Sequence, residues 1–183
     1  MNSTQSSDDL IAMSVVEATI HAPVESIDLT EWVFSLTDAE YQTCSKAHIA
    51  GGATFRIDGK RMSINVENVG NLLIQHYVED IAERAHCRLV SMSDSIGPAI
   101  DERTKVIVVW DLSVQALDAK TTRFTNHIEV RITPDYLEML EKRGITLEQA
   151  RVVARKALNA HNAEEAPLYA NNIERKAIAE RWS

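Results

Sequence analysis

Only two cysteines occur in the 183 residues, Cys44 and Cys87, far apart and in no CxxC or ligand-like spacing. A disulfide framework or a cysteine-built zinc site needs more, so both read as reduced thiols of a reducing compartment, the cytoplasm. Basic residues are also few: 19 Lys and Arg stand against 27 Asp and Glu, a net charge of -8. They never cluster beyond adjacent pairs such as Lys60-Arg61, Lys142-Arg143 and Arg155-Lys156. Nucleic acid is held by a basic stripe that neutralises several phosphates, so it is not an expected partner. No apolar run approaches the ~18 residues of a membrane span, and residues 1–9 lack the basic start and apolar stretch of a signal peptide. Internal repeats are missing as well, and residues 1–11 read as a disordered polar tail. With no Gly-rich phosphate loop, GxSxG elbow or HEXXH, neither nucleotide binding nor nucleophilic catalysis has support, and no cofactor is expected.

What is present is ordinary globular material, 45% hydrophobic and 25% charged, in a length that suits one domain burying roughly two-thirds of its unfolded surface. Residues 13–21 (MSVVEATIH) are rich in β-branched side chains and stop at Ala22-Pro23, the signature of a strand. Leu29, Trp32, Val33 and Leu36 then recur at helical spacing, and Thr37 with Glu40 forms a capping box opening a second short helix over 38–46.

From 51 to 132 the apolar residues alternate with period two. Asp58-Gly59 and Gly70-Asn71 mark tight turns, 94–104 carries Gly97-Pro98 and reads as a loop, and 117–120 turns the sixth strand into the seventh. Thr133-Pro134 caps a short helix ending at Gly144, and Thr146 with Gln149 caps a longer one with the stripe Ala150, Val153, Ala154, Ala157 and Leu158. Pro167 predicts a break at 163–166 before a last helix.

Strand, two short helices, a six-stranded antiparallel meander and a long C-terminal helical segment define an α+β order that resembles the helix-grip fold of the SRPBCC superfamily, with its START-like, birch-pollen-allergen-like and polyketide-cyclase-like members. Residues 16–27 carry the local part of the likeness, an alternating strand ending in an apolar-Pro-acidic turn. The resemblance covers about 13–162 and implies one domain over 12–183, a sheet curled round the C-terminal helix, and a tunnel for lipids, polyketides or aromatic metabolites. From about 163 the chain extends past the family pattern. The runner-up, a nuclear-transport-factor-like cone, places its helices first and fits the order less well.

Polar side chains in phase with apolar strand faces need a partner or a purpose, because burying them unpaired costs about 1–3 kcal/mol. His76 is in phase with Leu72 and Ile74, Asn126 with Phe124 and Ile128, and Ser91 with Cys87 and Leu89. Local pairing explains each; the sharper reading has His76, Ser91 and Asn126 lining a ligand cavity with Met62 and Trp110. Two functions follow. One is binding of a hydrophobic or aromatic small molecule between sheet and helix. The other is a polyketide-cyclase, dehydratase or hydrolase activity with His76, aided by Asn126 or Tyr77, as general acid and base. A His hydrogen-bonded to a carboxylate inside the cavity is the feature that favours catalysis. His161-Asn162 with Glu164-Glu165 reads as a helix end followed by an acidic helix start rather than as a metal site. The late stripe Leu168, Ile173, Ala177 and Ile178 with Trp182 must pack somewhere, on its own domain or across a homodimer.

Overall fold

In the computed structural model, which describes residues 7–97, 103–179 and 182, β1 (Leu10–Ile20) leads into two short helices, α1 (Leu29–Ser35) and α2 (Asp38–Thr43). Six strands follow: β2 (His48–Phe55), β3 (Arg61–Val69), β4 (Asn71–Ala82), β5 (His86–Ile96), β6 (Arg103–Ala116) and β7 (Thr122–Arg131). The chain closes with α3 (Pro134–Arg143) and the long α4 (Leu147–Ile178). All seven strands form one antiparallel sheet in the order β1-β7-β6-β5-β4-β3-β2. The meander is therefore present, and the first strand joins its last through pairs such as Val16↔Asn126 and Ala18↔Phe124.

The local signals act as their chemistry dictates. Gly59 and Gly70 sit at φ 83° and 81°, the left-handed region the two hairpin turns require. Both capping boxes form, Thr37 with Glu40 and Thr146 with Gln149, and Gly144 ends α3 at φ 64°. Three aromatic rings fill the space between sheet and helices. Trp32 of α1 meets Trp110 of β6 and Tyr169 of α4 edge-on, at 6.2 and 5.1 Å between centroids. Each indole N–H is used: Trp32 donates to Asn172 Oδ1 and Trp110 to Asn126 Oδ1, both at 2.8 Å.

Several expectations need correction. Residues 1–6 of the expected tail lie outside the described residues, and Leu10 and Ile11 already belong to β1. The loop expected over 94–104 is shorter: Asp94 and Ile96 pair with Lys105 and Arg103, whose cations stand 3.2 Å from the Asp94 carboxylate, and residues 98–102 lie outside the described residues. On α4 it is Ala154 and Leu158 that meet the core, while Val153 is 69% exposed.

Most important, α4 does not break before Pro167 but runs through it. Proline removes one N–H and leaves the carbonyl four residues earlier without its partner. Here Pro167 and Ala163 both lie on the solvent-exposed side, and the opposite face buries His161, Asn162, Glu165, Ala166, Tyr169, Ala170, Asn172 and Ile173. Packing of that face outweighs the local cost. Part of the late stripe packs within the chain: Ile173 and Ala177 are buried and Trp182 packs against the core, while Leu168 and Ile178 are exposed. Lys176 Nζ donates to the Ser35 carbonyl at 3.0 Å.

Candidate functional site

His161, Glu165 and Tyr169 stand four residues apart on α4, so successive turns aim them from one helix face at the sheet. All three are buried. Opposite them β3 presents Asn65, Glu67 and Val69, and β4 presents Leu73, Gln75 and Tyr77; the pairs Asn65↔Gln75 and Glu67↔Leu73 place these on one face. Val106, Val108 and Trp110 of β6 and Ile128 and Val130 of β7 supply the apolar side. Together they enclose a partly open cavity of about 110 Å³. Val69, Leu73, Tyr136 and Ala154 are half-buried at its mouth, whereas Glu67, Gln75, Tyr77, His161 and Glu165 are buried at its closed end.

That closed end is a knot of two imidazoles and two carboxylates. Nε2 of His161 lies 3.2 Å from Oε2 of Glu165 and 3.5 Å from Oε2 of Glu67. His48, delivered from behind by the start of β2, places its Nε2 3.1 Å from Glu165 Oε2 and 3.7 Å from Glu67 Oε2. Every member is also held by a group outside the knot. His48 Nδ1 is 2.7 Å from the Tyr41 carbonyl, which only accepts, so Nδ1 carries the hydrogen and Nε2 faces the knot. Gln75 Nε2 donates to Glu67 Oε1 at 2.8 Å, Tyr41 Oη to Glu67 Oε2 at 3.0 Å, and Asn126 Nδ2 to Glu165 Oε1 at 3.0 Å. Ser45 Oγ is 3.4 Å from His161 Nδ1.

The charges sustain one another. Burial works against a charged His161, but hydrogen bonds and charge from Glu165 and then Glu67 outweigh it and hold its pKa up to about 10. Burial likewise disfavours the Glu165 carboxylate, and the two imidazoles overcome that penalty and hold its pKa well below the usual range. For Tyr77 and Tyr169, burial and then the neighbouring carboxylates push the phenols well above their ordinary value, so they remain neutral donors. At neutral pH the closed end offers a bound polar group an imidazolium donor, carboxylate acceptors and two phenols. Gln75 adds a buried amide oxygen, Oε1, that has no hydrogen-bond partner among the described residues.

Of the residues singled out from sequence, Trp110 and Tyr77 line this cavity. Asn126 lies just behind it, accepting from Trp110 and donating to Glu165 and Asn162, so it positions the knot without facing the cavity. Ser91 is buried outside the cavity lining, where its Oγ accepts from the His76 backbone N–H at 2.7 Å and from Ser93 at 2.9 Å. Met62 and His76 project from the opposite face of the sheet, because β3 and β4 turn Asn65, Glu67, Gln75 and Tyr77 inward. The strand alternation defines two faces but not which one is internal, and on these two strands the inner face is the more polar. His161 and Glu165, read from sequence as a helix end and a helix start, belong to one unbroken helix and converge on the sheet. Their i, i+4 spacing with Tyr169 was the available signal; for His48 and Glu67 there was none beyond polar residues in phase on a strand.

No protein-family model matches the chain, and no curated protein matches it in sequence. Solved structures do match. The Zhui aromatase/cyclase from Streptomyces sp. R1128 superposes with a TM-score of 0.57 at 16% identity, over 90% of this chain and 95% of that one. A START superfamily protein from Mycobacterium smegmatis gives 0.53 at 14%, over 89% and 97%. The di-domain ARO/CYC StfQ of the steffimycin biosynthetic pathway gives 0.55 at 13%, with 91% of this chain covering 53% of that one. The chain shares the helix-grip fold of these structures. At such identities the likeness is one of fold, and function rests on the site itself.

Proposed function

We propose that the chain binds a small apolar or aromatic molecule between the sheet and α4, its ring or acyl end against Trp110, Val108 and Ile128 and its polar group at the His161–Glu165–Glu67 end. The observation that carries this is the polarity gradient of the cavity: apolar walls ending in one charged knot, beside which Gln75 keeps a buried Oε1 with no hydrogen-bond partner among the described residues. Size narrows the ligand. An apolar cavity of about 150 Å³ holds benzene, so about 110 Å³ of partly open space takes at most a single ring or a short acyl chain, and anything larger extends through the mouth. Two buried free thiols, Cys44 and Cys87, support a reducing compartment for this binding.

Thermal shift against a graded set of phenols, aromatic acids, short fatty acids and multi-ring compounds tests this reading. A ligand at 100 times its Kd adds about 2.7 kcal/mol, which moves the midpoint of a chain this size by roughly 5–10 °C. Single-ring phenols and short acyl chains are expected to stabilise. If no compound shifts the midpoint and none perturbs Trp110 fluorescence, the reading fails.

One observation favours a second reading, in which the same pocket performs acid–base chemistry of the cyclase, dehydratase or hydrolase type. It is the His161–Glu165 pair within the cavity wall. Its mark is turnover of a bound ligand that His161→Gln abolishes while binding persists; binding without turnover in the intact chain leaves carriage as the function.

A further inference from the structure

The knot at the closed end has a geometry that ligand binding does not require. Four donor atoms converge, two imidazole Nε2 and two carboxylate Oε2, with N···O separations of 3.1, 3.2, 3.5 and 3.7 Å. A cation with bonds of about 2.0–2.1 Å to N and O donors spaces its ligands about 3.3 Å apart in a tetrahedron and about 3.0 Å apart at right angles. The four His–Glu edges span the tetrahedral value and all exceed the right-angle one. The donor atoms of His48, Glu67 and His161 all lie within 4.8 Å of one another, and all three residues are buried.

The outer hydrogen bonds match what a metal centre needs. His48 Nδ1–H is anchored on a backbone carbonyl, which fixes the tautomer with Nε2 free to ligate. Both carboxylates are clamped through Oε1 by side-chain amides, Gln75 on Glu67 and Asn126 on Glu165, so each Oε2 is aimed inward. Four chain segments, β2, β3 and two successive turns of α4, are thus pre-positioned around one point. Asp38, Asp94 and the other surface acids form no comparable arrangement among the described residues.

We infer that His48, Glu67, His161 and Glu165 form a binding site for one divalent first-row transition cation at the closed end of the cavity. Two neutral imidazoles and two carboxylates balance a dipositive ion, and a mixed N and O donor set suits zinc, iron(II) or manganese rather than calcium or magnesium. The cation displaces the imidazole protons that hold the knot together in its absence. His48 approaches from behind, while Glu67, His161 and Glu165 line the cavity, so the ion would keep a position open towards whatever polar group the cavity receives. The inference stands apart from ligand binding, since it needs no occupant in the apolar part.

The test uses the full chain, stripped with a chelator, dialysed and titrated with Zn²⁺ or Co²⁺ without organic ligand. Expected are one ion retained per chain through gel filtration, visible d–d absorption in the Co²⁺ form, and affinity reduced about 100-fold or more by His48→Gln or His161→Gln, with a smaller loss for Glu165→Gln. Should the variants fail to fold, imidazole NMR of the intact chain decides: Zn²⁺ shifts at His48 and His161 support the site, and shifts confined to His21, His76, His86 or His127 overturn it. No retained ion, or retention unchanged in a folded double His variant, overturns it equally. Thermal shift with phenols on the stripped chain reads ligand binding separately, so either conclusion can fail alone.

Discussion

Tyr41 lies flat against His48, ring centroids 3.9 Å apart and planes 4° from parallel, while its hydroxyl donates to Oε2 of Glu67 at 3.0 Å. One side chain therefore orients a histidine by stacking and a carboxylate by hydrogen bonding. Gly51 makes room for it: a Cβ there would sit 2.8 Å from Tyr41 Cδ1, closer than side-chain atoms approach. Gly51→Ala is expected to displace the Tyr41 ring, lowering the melting midpoint and weakening Zn²⁺ and phenol binding together. Tyr41→Phe keeps the stack and loses only the hydroxyl, at a cost of about 1–2 kcal/mol. Calorimetry on both variants checks this; equal stability of Gly51→Ala and the parent chain would show that the ring has slack.

Pro167 offers a test of the continuous helix. In an exposed helix interior proline costs about 3 kcal/mol relative to alanine, and the Ala163 carbonyl beneath it lacks an intrahelical partner. Pro167→Ala restores that bond without touching the buried face. It is expected to stabilise the chain by about 1–3 kcal/mol, raising the midpoint by several degrees. A loss of stability on denaturant titration would mean that the helix needs a bend at this point.

These two sites also show how far the sequence could be read. The turns and helix caps were legible because each depends on a few neighbouring residues: Asp58-Gly59, Gly70, Thr37 with Glu40, Thr146 with Gln149. Pro167 misled because its local cost is real but is outweighed by tertiary packing of His161, Glu165, Tyr169 and Ile173, which no local pattern expresses. On β6 and β7 the more apolar face is the inner one, so Trp110 and Asn126 were placed on the correct side. On β3 and β4 the more apolar face, with Met62 and His76, points away from the cavity, and the inner face carries Glu67 and Gln75 because it builds the polar end of the site.

Burial pushes the Cys44 thiol up to about 11 and the Cys87 thiol up to about 12. Unfolded thiols ionise near pH 8.5–9, so above that the unfolded chain loses protons that the folded chain keeps. Stability is fully present below about pH 9 and declines as pH rises towards these folded values. At pH 8 a thiol reagent is expected to label neither cysteine in the native chain and both in denaturant. Rapid native labelling of Cys87 would show that α1 and β5 open far more often than their packing implies.

Trp110 sets the size of the apolar pocket and anchors Asn126 beneath it. Trp110→Phe shortens the wall and leaves Asn126 Oδ1 without its donor, a change expected to cost about 1–3 kcal/mol. The ligand range should shift from single rings towards bulkier ones in the thermal-shift series. An unchanged range would mean that Trp110 is core rather than pocket wall.

Gln75 and His76 are neighbours on β4 that face opposite sides of the sheet, which makes them a matched pair of probes. Gln75→Leu keeps the bulk, removes the donor to Glu67 Oε1 and removes a buried, unpartnered Oε1 from a residue that lines the cavity. It should weaken a phenol, whose hydroxyl can donate to Oε1, by about 5- to 10-fold, corresponding to about one hydrogen bond, and leave an unsubstituted aromatic ring almost unaffected. His76→Ala removes a half-buried ring from the other face and is expected to change neither affinity, at most lowering the midpoint slightly. Isothermal titration of both probes against both variants gives the answer. If His76→Ala selectively loses the phenol while Gln75→Leu retains it, the polar end of the ligand does not lie where Glu67, His161 and Glu165 converge.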